Sequence, residues 1–587
     1  MEGVLERLKQ RKIVQWALAY LAGAFALIQM LDLVGQRFGW PESIDRVLII
    51  AGAVGFAVTL VLAWYHGERG AQRVSGSELL ILALLLLIGG GLLWFAARAP
   101  RTEVKTAAAS AIPAGEDAAK APPDAKSIAV LPLANTSGDP SNEYFSDGLS
   151  EELISVLARI PDLKISGRNS SFHFKNSQDD TRTIGERLGV ANLLEGSVRK
   201  QGEQVRIAVD LIAAADGHQL WSATYDRNLK DIFAVQSEIA TAVVEQLKVK
   251  LLGAHPLVDA GAANPNIAAY KALLEGQFYL RNFNVDDQRK AAGYFEEATR
   301  LDPNYALAYA QLSRVLRSLA AAFLIERGEI AGAYVKARQA ADTALKLAPD
   351  LSDAHGALGL LLLTPDLDVA GAETELRRAV ALAPHEALPV HGLSYVLAAE
   401  GRLAEAEAMS RQAIALDPWW VPPYQNLARI QMGAGRLDEA EATLRKAIEL
   451  QPGLSHAYSY LTVIDLRRHD AAAALRDAKL EPEGFWRDYA VALALQGQGD
   501  RAAADRALNE LLAKNQYGAS YQIAVIYAAR KEPDHVFEWL DKAYEVRDSG
   551  LTQLMVTPHL LDYRDDPRFV ALATKLKVDP SLLVHRP

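Results

Sequence analysis

The sequence predicts a multi-domain membrane protein with a three-helix transmembrane segment, an α/β domain and an all-α repeat solenoid. Three observations lead to this prediction: long apolar runs near the start, short strand-like runs in the next part, and a phrase ending in proline that then recurs about every 34 residues. A chain of 587 residues is also too long for one hydrophobic core. The predicted boundaries are 1–100 for the transmembrane region, 101–126 for a linker, 127–252 for the α/β domain, 264–545 for the repeats and 546–587 for a C-terminal cap.

Charge and cysteine content exclude several classes of function. The formal net charge is −10, which argues against a nucleic-acid partner. Residues 1–100 hold nine Lys/Arg and seven Asp/Glu, a balance of +2, so the remainder of the chain carries −12. This distribution favours a membrane-bound start and an acidic body. Because the chain has no cysteine, it can form neither disulfides nor thiolate metal sites.

Three apolar runs predict membrane-spanning helices. Residues 13–34, 47–65 and 79–97 form runs of 22, 19 and 19 residues, close to the roughly 20 residues that cross a hydrocarbon core. A cleaved signal peptide would show one shorter run and a cleavage site of small residues, so three spans are favoured over it. The sequence therefore predicts a multi-pass protein of a bacterial inner membrane.

The positive charges between these runs predict the orientation of the chain. The segments before the first run and between the second and third hold six Lys and Arg residues, whereas the loop after the first run holds two. Since cytoplasmic loops are enriched in these residues, the two richer segments should be cytoplasmic. The body of the protein is then expected in the periplasm. The six residues are Arg7, Lys9, Arg11, Lys12, Arg69 and Arg73, and the two are Arg37 and Arg46.

The next part of the chain predicts a flexible tether and an α/β domain. Residues 101–126 are rich in Ala and Pro without an apolar period, which is typical of a linker. The order of the elements that follow is β-α-β-α-β-β-α, an α/β sandwich. Strands are predicted at 127–133, 163–168, 192–200 and 204–214, and helices at 149–160, 183–188 and 232–251.

The stretch NEYFSDGLSEELISVL, residues 142–157, permits a structural and a catalytic interpretation. Its apolar residues recur at helical spacing from Leu149, so Asp147 is predicted to be the N-cap of that helix. In the catalytic alternative, Ser146 or Ser150 would be a nucleophile. No histidine, lysine or metal-ligand partner stands nearby in the sequence to activate them, which favours the cap.

Several segments of this domain carry a family resemblance. They are SIAVLPLANTSGDPSNEYFSDGLSEELISVLARIPDLKISGRNSSFHFK, IGERLGVANLLEGSVRKQGEQVRIAVDLIAAADGHQLWSATYD and DIFAVQSEIA. Together they resemble the TolB amino-terminal-like domain, which is related to flagellar FlgO-type domains. The resemblance implies a bacterial protein in which this domain follows membrane spans, a winged-helix regulator or a class III adenylate cyclase domain, and precedes tetratricopeptide repeats. It implies no catalytic activity.

The repeats are indicated by five prolines and ten alanines. The spacings between the prolines are 46, 35, 34 and 34 residues, which indicates a 34-residue unit with a 12-residue insertion in the second one. An alanine stands 12 and five residues before each proline, on one face of a helix. The pattern resembles the tetratricopeptide repeat, most fully in the fifth unit, and two or three degenerate units are expected between residues 455 and 544. The prolines are Pro303, Pro349, Pro384, Pro418 and Pro452.

The sequence predicts a protein that binds other proteins and is not an enzyme. We find no HExxH or GxxxxGK[ST] motif and predict no cofactor, metal or small-molecule ligand. Stacked repeats leave their first helices lining a groove suited to a peptide or a partner helix. From the register of the repeats, the side chains predicted to bind a protein there are His391, Tyr395, Gln425 and Arg429. The first hypothesis is a membrane-anchored scaffold, and the alternative is a transmembrane signalling receptor or regulatory protein related to cyclase or winged-helix sensors.

Overall fold

A computed structural model describes residues 123–160, 162–247, 266–280, 285–321, 327–515, 519–579 and 582. The three predicted membrane spans and the predicted linker up to residue 122 lie outside this part of the chain. Within it, no helix combines the length and the apolar character that crossing a bilayer requires.

The first described part is a small domain built on a mixed β-sheet. The strands follow the order β3-β1-β4-β5-β6. The short strand β2 lies outside this order and pairs with β4. β1 is parallel to β3 and β4, whereas β4, β5 and β6 are antiparallel. The strands are β1 (Ser127–Val130), β2 (Ala134–Asn135), β3 (Lys164–Ile165), β4 (Asn192–Gln201), β5 (Gln204–Ala213) and β6 (Gln219–Asn228). The helices are α1 (Glu143–Ala158), α2 (Arg168–His173), α3 (Thr181–Leu188) and α4 (Ile232–Gln246).

Both faces of β1 are covered, as a short continuous apolar run predicts. Ile128 and Val130 belong to the core formed with α1 and α4, while Ala129 and Leu131 contribute to a smaller core with α3. The hairpin of β4 and β5 turns at the predicted place, since Gln201 pairs with Gln204. An α/β domain is therefore present, as the sequence predicts.

The predicted role of Asp147 as an N-cap is wrong. α1 begins six residues before the predicted start, at Glu143, so Asp147 lies inside the helix and its side chain is fully buried. Both carboxylate oxygens accept hydrogen bonds from Lys175 Nζ at 2.7 Å. The same ammonium group lies 2.6 Å from Glu143. The carboxylate is thus one half of a buried ion pair that fastens the segment after α2 to α1.

The second described part consists of paired helices. Eight pairs follow one another between residues 267 and 545 of the described chain, three of them after Pro452. The insertion in the second unit accompanies a helix of 21 residues, α8. The pairs are α5 (Ile267–Leu280) with α6 (Val285–Leu301), α7 (Ala306–Ala321) with α8 (Arg327–Leu347), α9 (Ser352–Leu363) with α10 (Val369–Leu382), α11 (Ala387–Ala399) with α12 (Leu403–Leu416), α13 (Pro422–Gly433) with α14 (Leu437–Leu450), α15 (Ala457–Arg467) with α16 (Ala471–Leu480), α17 (Phe485–Gln496) with α18 (Arg501–Asn515), and α19 (Ser520–Arg530) with α20 (Pro533–Glu545).

The periodic alanines are the contact points between paired helices. All ten have no exposed surface. A methyl group at these places lets two helix backbones approach closely, and any larger side chain would push them apart. The alanines are Ala291, Ala298, Ala337, Ala344, Ala372, Ala379, Ala406, Ala413, Ala440 and Ala447.

The chain doubles back after the last helix pair. Residues 549–561, which we call the return segment, comprise a 3₁₀ helix, Ser549–Val556, and the short helix α21 (Pro558–Leu561). The 3₁₀ helix lies against α11 and α13, the first helices of the fourth and fifth pairs. The following helix, α22 (Pro567–Lys575), packs beside α20 and shares its core.

Candidate protein-binding groove

The inner face of the fourth and fifth pairs carries the residues predicted to bind a protein. His391 and Tyr395 lie on α11, and Gln425 and Arg429 lie on α13. Each pair is four residues apart, which places its members on one helix face. Arg429 retains only 7% exposure. The four residues therefore share one region of the fold, but it is more enclosed than an open solvated groove.

Arg429 and Tyr395 form the centre of this region. The guanidinium carbon of Arg429 lies 4.6 Å from the centroid of the Tyr395 ring, a cation–π contact between the two helices. Arg429 Nη2 also donates to the Asn426 side-chain oxygen at 2.8 Å. Gln425 points elsewhere, since its amide donates to the Ser455 carbonyl at 2.8 Å. The structure brings Tyr395 and Arg429 together and leaves Gln425 at the repeat boundary.

Burial and the charge of Arg429 both shift the pKa values of its neighbours. Burial alone would raise the pKa of Tyr395, but Arg429, the hydrogen bond with Thr552 and the charge of Arg317 together outweigh burial and lower the pKa. Burial and Arg429 together lower the pKa of His391 to about 3 and that of His456 to about 4. Both imidazoles are thus neutral at neutral pH. Within the described residues, no carboxylate forms an ion pair with Arg429, so its field reaches the whole region.

The return segment occupies the space in front of these residues. Tyr395 Oη lies 3.2 Å from Thr552 Oγ1, and Tyr521 Oη lies 2.7 Å from Thr557 Oγ1. The buried Asp548 holds the start of the return segment against α19. Its carboxylate accepts hydrogen bonds from the backbone N–H groups of Tyr521 at 3.1 Å and Gly550 at 2.9 Å. The groove predicted for a partner therefore holds a piece of the chain itself.

A glycine at the end of α13 allows this close approach. A Cβ atom on Gly433 would lie 2.8 Å from Val556 Cα and 3.0 Å from the Met555 carbonyl oxygen. Contacts that short would force the backbone of the return segment away from α13. The glycine is thus required by packing, since α13 is helical there.

A small cavity remains beneath the return segment. Its volume is about 30 Å³ and its polar lining includes Arg429, Ser459, Gln522 and Gln553. Arg429 Nε and Gln522 Oε1 are buried and have no protein hydrogen-bond partner in the described residues. A space of this size has room for one or two water molecules beside Arg429.

A second contact joins the sheet domain to the fourth helix pair. Asp417, 3% exposed, accepts four hydrogen bonds at the start of α2: from the backbone and side chain of Asn169 at 3.0 and 2.8 Å, and from those of Ser170 at 2.8 and 2.5 Å. The Trp419 ring stacks on His173 with centroids 3.5 Å apart. A repeat loop thus supplies the N-terminal cap of a helix in the sheet domain. We call this contact the Asp417 latch.

Charged groups also face each other where α1 meets the repeats. Burial raises the pKa of Glu152 to about 7, with Arg159 opposing the shift. The pKa of Glu386 is raised as well, by burial and by Asp353. Carboxylates of the sheet domain and of the array therefore share one partly dehydrated interface.

Sequence reasoning missed the latch and the return segment, although each leaves a signal. Two tryptophans directly follow Pro418, whereas the residue directly after each of the other repeat prolines is small or polar. Adjacent large aromatic rings on a repeat loop indicate a docking contact. The return segment contains no Asp, Glu, Lys or Arg over 13 residues, which indicates burial without showing where.

Comparison with known families identifies the repeats. A family model described as tetratricopeptide repeat matches residues 397–462, which extend from the end of α11 into α15. The array contains tetratricopeptide repeats. The matched region includes Gln425 and Arg429, whose helix is the first of its repeat.

The chain also resembles one curated protein over part of its length. It is 38% identical over 191 residues to a protein named putative adenylate cyclase 3 from Rhizobium meliloti (strain 1021). The match covers 32% of this chain and 32% of that protein, so the chain spans about a third of its relative.

Solved structures with similar helix stacking are diverse. They include PilW, described as a type IV pilus biogenesis factor, at 20% identity over 45% of this chain and 99% of that chain with a TM-score of 0.28. The Cut9–Hcn1 assembly matches at 15% identity over 58% and 63% of the two chains with a TM-score of 0.37. YrrB, described as a TPR protein with an unusual peptide-binding site, matches at 23% identity over 31% and 87% with a TM-score of 0.21. These low scores carry no conclusion about partners.

The low pKa of His391 predicts an acid-sensitive groove. The folded pKa of about 3 lies below the unfolded value of 6.5, so the unfolded state binds the proton first. Stability is therefore complete above 6.5 and falls as the pH drops from there towards 3. Between about pH 7.5 and about pH 5.5, the parent should lose about 1 kcal/mol more unfolding free energy than His391→Gln. Urea unfolding at the two pH values measures this, and equal losses would show that His391 does not titrate in this way.

Proposed function

We propose that this chain is a membrane-anchored protein-interaction scaffold that presents a TolB-like domain and a peptide-binding repeat array. The observation that carries the proposal is the manner in which the inner face holds the return segment. A hydroxyl contact from Tyr395 and the close approach at Gly433 hold a short piece of polypeptide against α11 and α13, beside the cation–π pair of Tyr395 and Arg429. A surface with these properties suits a segment of another protein equally well.

The membrane anchor and its orientation form part of the proposal. Three apolar runs and the six-to-two distribution of Lys and Arg support three spans and a periplasmic body. A periplasm-active reporter fused after Lys126 should therefore be active. A silent reporter, together with an active cytoplasmic one at the same position, would make the scaffold cytoplasmic.

A signalling or regulatory protein is the second candidate function. The partial similarity to a protein named putative adenylate cyclase favours it, because TolB-like domains accompany cyclase domains in the resemblance described above. A receptor needs a cytoplasmic output, and the cytoplasmic segments predicted here are short. Co-purification of a cytoplasmic enzyme or regulator with the full chain would favour this function over a scaffold.

The double variant Tyr395→Ala/Arg429→Ala tests the groove. It removes both halves of the central cation–π pair, so the full chain in detergent should lose the proteins that the parent retains in affinity capture. The matched control is Arg411→Ala/Arg445→Ala on the second helices of the same repeats. Both of these arginines are exposed and pair with a glutamate four residues earlier on their own helix, and Arg411 also lies 3.9 Å from Glu439. If a normally folded double variant kept every partner, the binding site would have to lie elsewhere, most simply on the TolB-like domain.

A further inference from the structure

The return segment is an uncharged occupant of the groove. Residues 549–561 contain no Asp, Glu, Lys or Arg. The one titratable residue, His559, is neutral at neutral pH because burial and Arg467 lower its pKa to about 4. The segment therefore supplies apolar surface and hydroxyl groups to the inner face, but no charge.

The face beneath the return segment is cationic. Arg429 and Arg317 both act on Tyr395, and the Nε atom of each is buried without a protein hydrogen-bond partner in the described residues. Within the described residues, neither Arg429 nor Arg317 forms an ion pair. Two guanidinium groups thus act on a single tyrosine, and neither has a described carboxylate at ion-pair distance.

Such an arrangement leaves binding energy unused. A buried charge is stable only when it is paired and hydrogen-bonded, because removing it from water is costly. A water molecule in the 30 Å³ cavity satisfies an N–H group but does not neutralise the guanidinium. A carboxylate reaching Arg429 would do both through charge-assisted hydrogen bonds.

We propose that the return segment is an internal competitor for the groove, and that a partner displaces it with an acidic peptide segment whose carboxylate pairs with Arg429. The inference rests on the proposed function, since it concerns the same groove. It adds the chemistry of the partner and a form of regulation: the groove is closed until an acidic segment replaces an uncharged one. The apparent affinity for the partner equals the intrinsic affinity multiplied by the fraction of molecules in which the return segment has left the groove.

Two hydroxyl groups of the return segment can be removed to weaken its hold on the groove while the groove residues stay unchanged. Thr552→Val/Thr557→Val keeps the shape of the return segment and removes its bonds to Tyr395 and Tyr521. The probe is a fluorescent peptide with the sequence of residues 549–561 in which glutamate replaces Gln553, a residue that lines the cavity together with Arg429. A peptide with the unchanged sequence is the control probe.

Fluorescence anisotropy with the full-length chain gives the expected outcome. The glutamate peptide should bind the double-valine variant about 10-fold more tightly than the parent, because the competing segment has lost two hydrogen bonds. It should also bind about 10-fold more tightly than the unchanged peptide, because only it offers a carboxylate. Equal affinity for the two proteins would overturn the competition, and equal affinity of the two peptides would overturn the acidic preference.

A second variant keeps the proposal testable if the peptides prove insoluble. Gln553→Glu in the full chain places the carboxylate in the return segment itself, so hydrogen exchange of residues 549–561 should slow about 10-fold. Gln553→Ala is the matched control and should leave exchange unchanged or faster. Exchange that stays unchanged in Gln553→Glu would overturn the proposal. The proposed function fails separately, namely if the peptides compete as expected but affinity capture retains no protein.

Discussion

Lys175→Met is expected to lower the free energy of unfolding of the sheet domain by about 3–5 kcal/mol. Asp147 is fully buried, and both of its carboxylate oxygens accept from Lys175 Nζ at 2.7 Å. Methionine keeps the volume of the lysine stem but removes the ammonium group that pairs with the buried carboxylate. Hydrogen exchange of the amides in α1 and β1 measures the opening free energy of this domain separately from that of the repeats.

An exposed ion pair of the same domain provides the control. Arg206 lies 2.6 Å from Asp226, and the two side chains are 56% and 62% exposed. Arg206→Met should therefore leave the same free energy almost unchanged. If Lys175→Met cost no more than this control, the pair with Asp147 would be only a surface contact, and the catalytic interpretation of this stretch would need to be reconsidered.

Asp417→Ala is expected to release the sheet domain from the fourth helix pair. The carboxylate accepts four hydrogen bonds from Asn169 and Ser170, so its removal leaves two backbone N–H groups at the start of α2 without their acceptor. We expect the opening free energy of α2 to fall by about 2–4 kcal/mol. Hydrogen exchange of residues 168–173 reports the change.

Asp302 is the matched control because it occupies the same position in the first repeat. It accepts from the backbone N–H groups of Asn266 and Asn304, both at 3.0 Å, close to its own loop. Asp302→Ala should cost about 1 kcal/mol locally and leave α2 unchanged. If Asp417→Ala and Asp302→Ala left α2 equally protected, the latch would not hold the two parts together.

The repeat array could be predicted because it depends on local, periodic packing. An alanine at a fixed distance from each proline records a close helix contact within one repeat, and all ten are buried as that reasoning requires. The family model for tetratricopeptide repeats confirms the assignment over residues 397–462. Periodicity therefore located the helices and the face on which a groove would lie.

The errors arose where distant parts of the chain meet. The local spacing predicts a cap at Asp147, because its partner, Lys175, stands 28 residues away and has no fixed spacing from it. β6 was missed because it is an edge strand whose side chains are mostly exposed, so it shows no apolar run.

The register of the repeats predicts which side chains share the inner face, but not whether that face is open. Register placed Tyr395 and Arg429 on the inner face, yet it could not show that residues 549–561 return across the array to cover them. That contact joins Tyr395 to Thr552, 157 residues further along the chain, and depends on how the repeats between them stack. Nothing periodic in the sequence records it.

Hydrogen exchange of the return segment in the full chain tests the central claim most directly, when measured with and without a saturating amount of the glutamate peptide. The account predicts slow exchange of residues 549–561 in the free chain, because this segment is packed against α11 and α13. Adding the peptide should make that exchange fast while α11 and α13 stay protected. If the return segment kept its protection with the peptide bound, or exchanged freely in its absence, the groove would not be a peptide site closed by the chain's own segment.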